Sequence, residues 1–365
     1  MAQNKIKLTL LFGIFISLLS CNEHENQTVN HADLVRTGGV IIDTDGDQPE
    51  NIMEGIQVSE ESGMAYGIDY RRQLPYKLSL KDGTFNFLSE SGRGPEELSL
   101  PNQLFLDKEN ELRIFVYDEA QDKVAFFESD EITEKTEGFL EENIWNRGTY
   151  GMYWNGHLIS SMKEPERINA LDFDNARPIV LMSIDDQSFK RVGKFSPTLD
   201  DMDSSQKYPY VALNQDVGHI YYVFRTDYTI LRYNLKDGSN SIAADYRPEE
   251  MRTRTIPFDH DNAYHFTAQF SREFNLDLTR VAGIEIIGDQ LVVVWRNANQ
   301  SYYDNPVYTA ENYDNFGVVY DLPDLTNPRE FSLPGKLLGS WGDRLLVEEN
   351  EDVMEYTIGF YEFDN

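Results

Sequence analysis

The chain has 365 residues, 40% of them hydrophobic, with 32 Lys and Arg against 63 Asp and Glu, a formal net charge of −31. Such a field repels nucleic acid and anionic membrane surfaces, so neither is a partner of the folded body. A single cysteine excludes a disulfide within the chain, and a core of this size does not require one.

Residues 1–20 read as a signal peptide: Lys5 and Lys7 form the positive start, and Leu8–Leu19 is too short an apolar run to span a membrane comfortably. The run ends Leu18-Leu19-Ser20-Cys21, the lipobox pattern, which makes Cys21 the expected site of lipidation and ties the mature chain to a membrane through its N-terminal lipid. Residues 21–37 are polar and without periodicity, a flexible tether, and residues 38–365 form the folded domain. The expected address is the cell envelope, as an outer-membrane lipoprotein with periplasmic or surface orientation left open.

Gly39–Asp43 is a strand without partners of its own in sequence. The acidic stretch that follows places Asp43, Asp45, Asp47 and Glu54 at positions 1, 3, 5 and 12 of a calcium loop. Its Gly46 falls at position 4 instead of 6 and no helix precedes it, so calcium is a weak candidate against an acidic linker; no other cofactor is expected.

From Ser91 to Glu128 a Gly-Arg-Gly-Pro turn leads into Asn102–Leu106, Leu112–Tyr117 and Lys123–Phe127, short aromatic and aliphatic runs bounded by polar turns. Comparable second-strand starts fall at Gly63, Glu111, Gly156, Gly218, Gly288 and Gly342. Gly63–Gly83 and Gly218–Gly238 have equal length and share a closing Leu-Lys-Asp-Gly. A period of roughly 40–50 residues with several strands per unit predicts an all-β, six-bladed β-propeller. The last unit, Lys336–Trp341, Arg344–Val347 and Tyr356–Glu362, lacks an outer strand, so the N-terminal strand is expected to complete it.

Asp82, Gly83, Gly92, Gly94, Pro95 and Glu97, with the runs on either side of them, resemble the six-bladed propeller lipoproteins of Bacteroidota, a TolB-like or NHL-like group. The resemblance covers about 65 residues. It implies the fold and the envelope address and supplies no chemistry. The Gly-Arg-Gly-Pro stretch opens no helix after a parallel strand, so it is a turn between blades and not a dinucleotide cradle. Arg93 on that turn is an anion-binding candidate.

Blade three, about Ile144–Gly193, carries Trp145, Trp154 and His157, for which interior packing is the default. Ser239–Arg280 is the longest insertion, with Phe266, Phe270 and Phe274 on one face of a short helix and Asp259, His260, Asp261 and His265 beside it. His-x4-His is a poor metal spacing. A second insertion, Asn297–Asn315, carries Tyr302, Tyr303, Tyr308 and Tyr313 among amides, a composition suited to stacking on a glycan or to a protein or peptide contact. It equally suits a hairpin that covers the neighbouring blade.

No P-loop, nucleophile elbow, His-Glu-x-x-His or paired-cysteine pattern is present, and no basic patch stands out along the chain. The sequence therefore favours a non-enzymatic binding or scaffold module for a protein, peptide or glycan. The alternatives are a calcium-dependent propeller hydrolase or lactonase and a purely structural envelope component. The fold alone does not choose among them.

Overall fold

Short runs such as Arg113–Asp118 (RIFVYD) and His219–Phe224 (HIYYVF) are apolar without alternation, and both are buried along nearly their whole length. A strand covered on both faces requires such a run. The outer strand Asn240–Asp245 (NSIAAD) has no buried residue. In blade four the chain thus runs from a covered interior to a solvated edge.

A computed structural model describes residues 29–42, 55–69, 71–108, 110, 113–137, 151–161, 177–197, 209–252, 267–304, 312–352 and 355–364. Over His31–Asn365 these form six antiparallel blades. Strands are lettered A to D from the inside outward. Blade one is Gln57–Val58, Met64–Asp69, Leu74–Ser79 and Phe85–Phe87. Blade two is Pro101–Leu106, Arg113–Asp118, Lys123–Glu128 and Glu131–Glu137. Blade three is Gly151–Trp154, His157–Ser161, Ile179–Ser183 and Phe189–Val192. Blade four is Pro209–Asn214, His219–Phe224, Thr229–Asn234 and Asn240–Asp245. Blade five is Thr279–Ile287, Gln290–Ala298, Tyr313–Asp321 and Thr326–Leu333.

Blade six is closed by the N-terminal strand, as the sequence predicts, but that strand begins at Leu34, so Leu34–Thr37 are part of the sheet and not of the expected tether. Lys336–Trp341, Arg344–Asp352 and Glu355–Phe363 receive Leu34–Ile42 as their outer strand, in register from Leu34 opposite Phe363 to Ile42 opposite Tyr356. Arg36 clamps this strand with two hydrogen bonds to Glu349, of 2.6 and 2.9 Å. The ring also closes at its centre. The amides of Gly55 and Ile56 donate to Leu338 O at 2.7 and 2.9 Å, and Ile56 bridges Gly339 in parallel. A Cβ on Gly339 would lie 2.6 Å from Ile56 O, so this approach requires glycine.

The core lies between blades. Ala65, Tyr76 and Leu78 of blade one pack with Val40, Leu338 and Ile358 of blade six. Trp295 of blade five is fully buried and donates its indole N–H to Asp227 O of blade four at 2.9 Å. At the A–B hairpins, the glycines marked in the sequence at 63, 156, 218, 288 and 342 all have positive φ. One contact recurs at two junctions: Trp154 packs over Gly218 of the next blade, and Trp341 over Gly63.

Candidate functional site

Two regions gather polar chemistry, one in the central channel and one on the rim formed by the B–C and D–A connections.

In a propeller the inner strands leave backbone groups facing the channel with no fifth strand to pair them. Gln57 supplies partners from its side chain. Its Nε2 donates to Leu104 O at 2.6 Å and Gly151 O at 2.5 Å, and its Oε1 accepts from Leu106 N at 2.8 Å. One amide thus ties the inner strands of blades one, two and three. Beyond it the channel opens into a cavity of about 90 Å³ toward the A–B hairpins, lined by residues of all six blades. Glu285 is the one carboxylate among its described lining residues. Ser340 Oγ donates to Glu285 Oε2 at 2.9 Å. Protein walls remove water from this carboxyl and push its pKa up to about 7, an effect that the Ser340 hydrogen bond and the charge of Lys108 oppose. The site can hold or release a proton near neutrality. Among the described residues, no group of three or more His, Cys, Asp and Glu is placed to hold a metal ion.

The rim is built by the two insertions. Within a blade the strands alternate direction, so the D–A connection 246–278 and the B–C connection 299–312 emerge at one end of blade five. Glu330 holds the start of the first, accepting from Tyr246 Oη at 2.7 Å and Glu249 N at 3.0 Å. Arg252 then crosses to blade five and donates through Nη1 to Leu276 O at 2.8 Å and Ala298 O at 2.7 Å. The helix Ala268–Leu276 follows, capped by Thr267, whose hydroxyl accepts from Phe270 N at 3.1 Å. Phe270 and Phe274 are buried and stacked at 5.6 Å, as their spacing predicts. Asn275 of this helix donates to Tyr302 Oη of the second insertion at 2.7 Å. Tyr302 in turn meets Tyr313 with ring centroids 5.4 Å apart, and the Arg296 guanidinium lies 5.1 Å over the Tyr313 ring.

The candidate ligand residues are therefore not one group. Tyr302 and Tyr313 touch, and Tyr303 is half-buried on the short helix Gln300–Asp304. Arg93 is exposed on its own turn. That turn has a structural logic: Glu97 Oε2 accepts from Gly94 N at 2.7 Å, and a Cβ on Gly92 would lie 1.9 Å from the same oxygen. The glycines and glutamate of Gly-x-Gly-Pro-x-Glu thus form one closed loop. Trp154 is partly buried against the blade-four core. Cys21, Tyr308, the acidic residues Asp43, Asp45, Asp47 and Glu54, Trp145, Asp259, His260, Asp261, His265 and Phe266 lie outside the described residues.

Sequence reading passes over Glu285, Arg225, Arg280 and Arg296, and finds no basic patch. The fold assembles one. Arg280 and Arg296 are direct cross-strand partners in blade five, and Arg225, on the B–C turn of blade four, accepts from Val281 N at 2.7 Å through its carbonyl. No sequence signal marked the pair: the turn at Gly288-Asp289 alone would set Arg280 opposite Asn297, and the bulge between Val281 and Gly283 shifts the register to bring Arg296 opposite it.

No family model matches the chain, and no curated protein matches it. Among solved structures it is similar to a member of the DUF4221 family from Bacteroides vulgatus, with 11% identity over 92% of this chain and 99% of the other and a TM-score of 0.68. It is also similar to a Bacteroides fragilis protein whose name proposes export, with 13% identity over 94% and 98% and a TM-score of 0.56. At these identities the likeness is one of fold.

Proposed function

We propose that the chain is a lipid-anchored propeller of the cell envelope that holds a protein, peptide or glycan at the insertion rim and performs no catalysis. The observation that carries this reading is the mutual packing of the two insertions. Arg252 and the Asn275–Tyr302 hydrogen bond fix them to each other and to blade five, and they leave Tyr302, Tyr303 and Tyr313 partly open on one rim. Aromatic side chains held rigidly lose little entropy on binding, which is why they anchor recognition surfaces. The envelope address rests on the leader and on Cys21 in its lipobox. The name of the Bacteroides fragilis neighbour goes with the same address.

A hydrolase of the calcium-dependent kind needs several carboxylates and amides converging in the channel. The described lining offers Glu285 as its carboxylate, and the Gln57 amide is already engaged with three backbone groups. That arrangement favours the rim over the channel.

The test is photo-crosslinking of the full chain in its own envelope, with a photoreactive residue at Tyr303 or at Asp343 on the opposite end. The binding reading expects a saturable crosslink from position 303 that Tyr302→Ala with Tyr313→Ala abolishes, and none from position 343. Equal labelling from both positions, or indifference to the two tyrosines, contradicts it.

A further inference from the structure

Like charges directly opposite each other on neighbouring strands destabilise a sheet. Arg280 and Arg296 occupy such a pair, with Arg225 beside them on the neighbouring blade. Arg280 bears the cost. Its Nε is buried with no hydrogen-bond partner, and no carboxylate pairs with it among the described residues. Burial, then the charges of Arg225 and Arg296, bring its pKa down to about 10, while Tyr313 and Tyr302 oppose the fall. All three arginines keep some accessible surface, and Tyr313 lies under the Arg296 guanidinium. In a chain of net charge −31 the placement of three guanidinium groups together is against the general field. At Arg280 the fold does not need a charge, since an apolar side chain of similar length fills a cross-strand site at no electrostatic cost.

We propose that Arg225, Arg280 and Arg296, flanked by Tyr313 and Tyr302, form a subsite for a compact oxyanion, a carboxylate, sulfate or phosphate group, at the base of the insertion rim. The planar guanidinium fork matches such a group with two parallel hydrogen bonds. The neighbouring rings suit an anion carried on a sugar, and a free anion has the same chemistry. This proposal rests on the binding reading above and names the chemical class of its ligand.

The experiment is thermal melting of the full chain in detergent, titrated with sodium sulfate, sodium phosphate or sodium glucuronate against sodium chloride at matched ionic strength. The subsite predicts a saturable rise in Tm with at least one of the three. It predicts that Arg280→Met melts at or above the wild-type temperature in chloride alone and loses the saturable rise, keeping only the linear stabilisation that sulfate and phosphate give any folded chain. A response to glucuronate at lower concentration than to sulfate or phosphate assigns the anion to a sugar, and the reverse order assigns a free anion. If Arg280→Met does not fold, Arg280→Lys is read instead. It keeps the charge and loses the fork, and its half-saturating concentration is expected to rise about tenfold. A flat wild-type titration, or an unchanged response in the variant, overturns the subsite. The crosslink from position 303 is scored separately, so a flat titration with an intact crosslink rejects the anion and keeps the rim.

Discussion

The two ends of the propeller are built from the same strands and obey different rules. At the A–B end, the marked hairpins turn on positive-φ glycines, and tryptophans from blades three and six cover the glycine of the next blade. At the opposite end, the D–A and B–C connections of blade five are long and packed on each other, and they gather arginines and tyrosines over the blade. The tight turns serve the closure of the ring, and the connections that are free to lengthen carry the surface proposed for binding.

Substitutions at the ring's junctions break that contrast most strongly. In Gly83→Ala the new Cβ meets Ile41 O of the closing strand at 2.0 Å, at a φ of +78°. We expect a loss of about 3 kcal/mol or more in urea denaturation, from strain and a displaced closing strand together. Next is Arg252→Ala, which leaves Leu276 O and Ala298 O without their donor. We expect a loss of about 1–3 kcal/mol, and amide exchange that quickens in the helix Ala268–Leu276 before it does in the blades.

The channel gives a pH-dependent effect. The unfolded chain releases the Glu285 proton at the ordinary carboxylate pKa, while the folded channel holds it to about 7. Between those values the folded state binds more protons, so this group lowers stability as pH rises through the window. Glu285→Gln is therefore expected to raise Tm at pH 8 relative to wild type and to leave it nearly unchanged at pH 4. An equal shift at both values contradicts the assignment.

The smallest effect belongs to the clamp on the closing strand. The Arg36 hydrogen bond holds the Glu349 carboxyl below its usual pKa. Its contribution is thus present above the ordinary carboxylate pKa and is lost as pH falls through the depressed value. Arg36 is half exposed, so Arg36→Ala should cost under about 1 kcal/mol at neutral pH, and less in acid.

Much of the ring was legible because its turns are short. Blade two follows the Ser91–Glu128 unit within a residue or two at each strand boundary, and the unpaired N-terminal strand led to the closure of blade six. The helix was legible from the spacing of Phe270 and Phe274. Glu285 was not, because a bulge between Val281 and Gly283 breaks the alternation that would have told which residues of the inner strand face the channel. The arginine cluster was not legible either. The same bulge moves Arg280 from a register opposite Asn297 to one opposite Arg296, and Arg225 joins them only through the docking of blade four on blade five.

Amide hydrogen exchange on the full chain, in its native envelope and after purification in detergent, tests the central claim most directly. If the insertion rim is the binding surface, amides around Asn299–Asp304 and in the helix Ala268–Leu276 are protected in the envelope and lose that protection on purification, while the Gly288 and Gly342 hairpins exchange alike in both. Protection confined to the hairpin end, or identical exchange at the rim in both states, would contradict it.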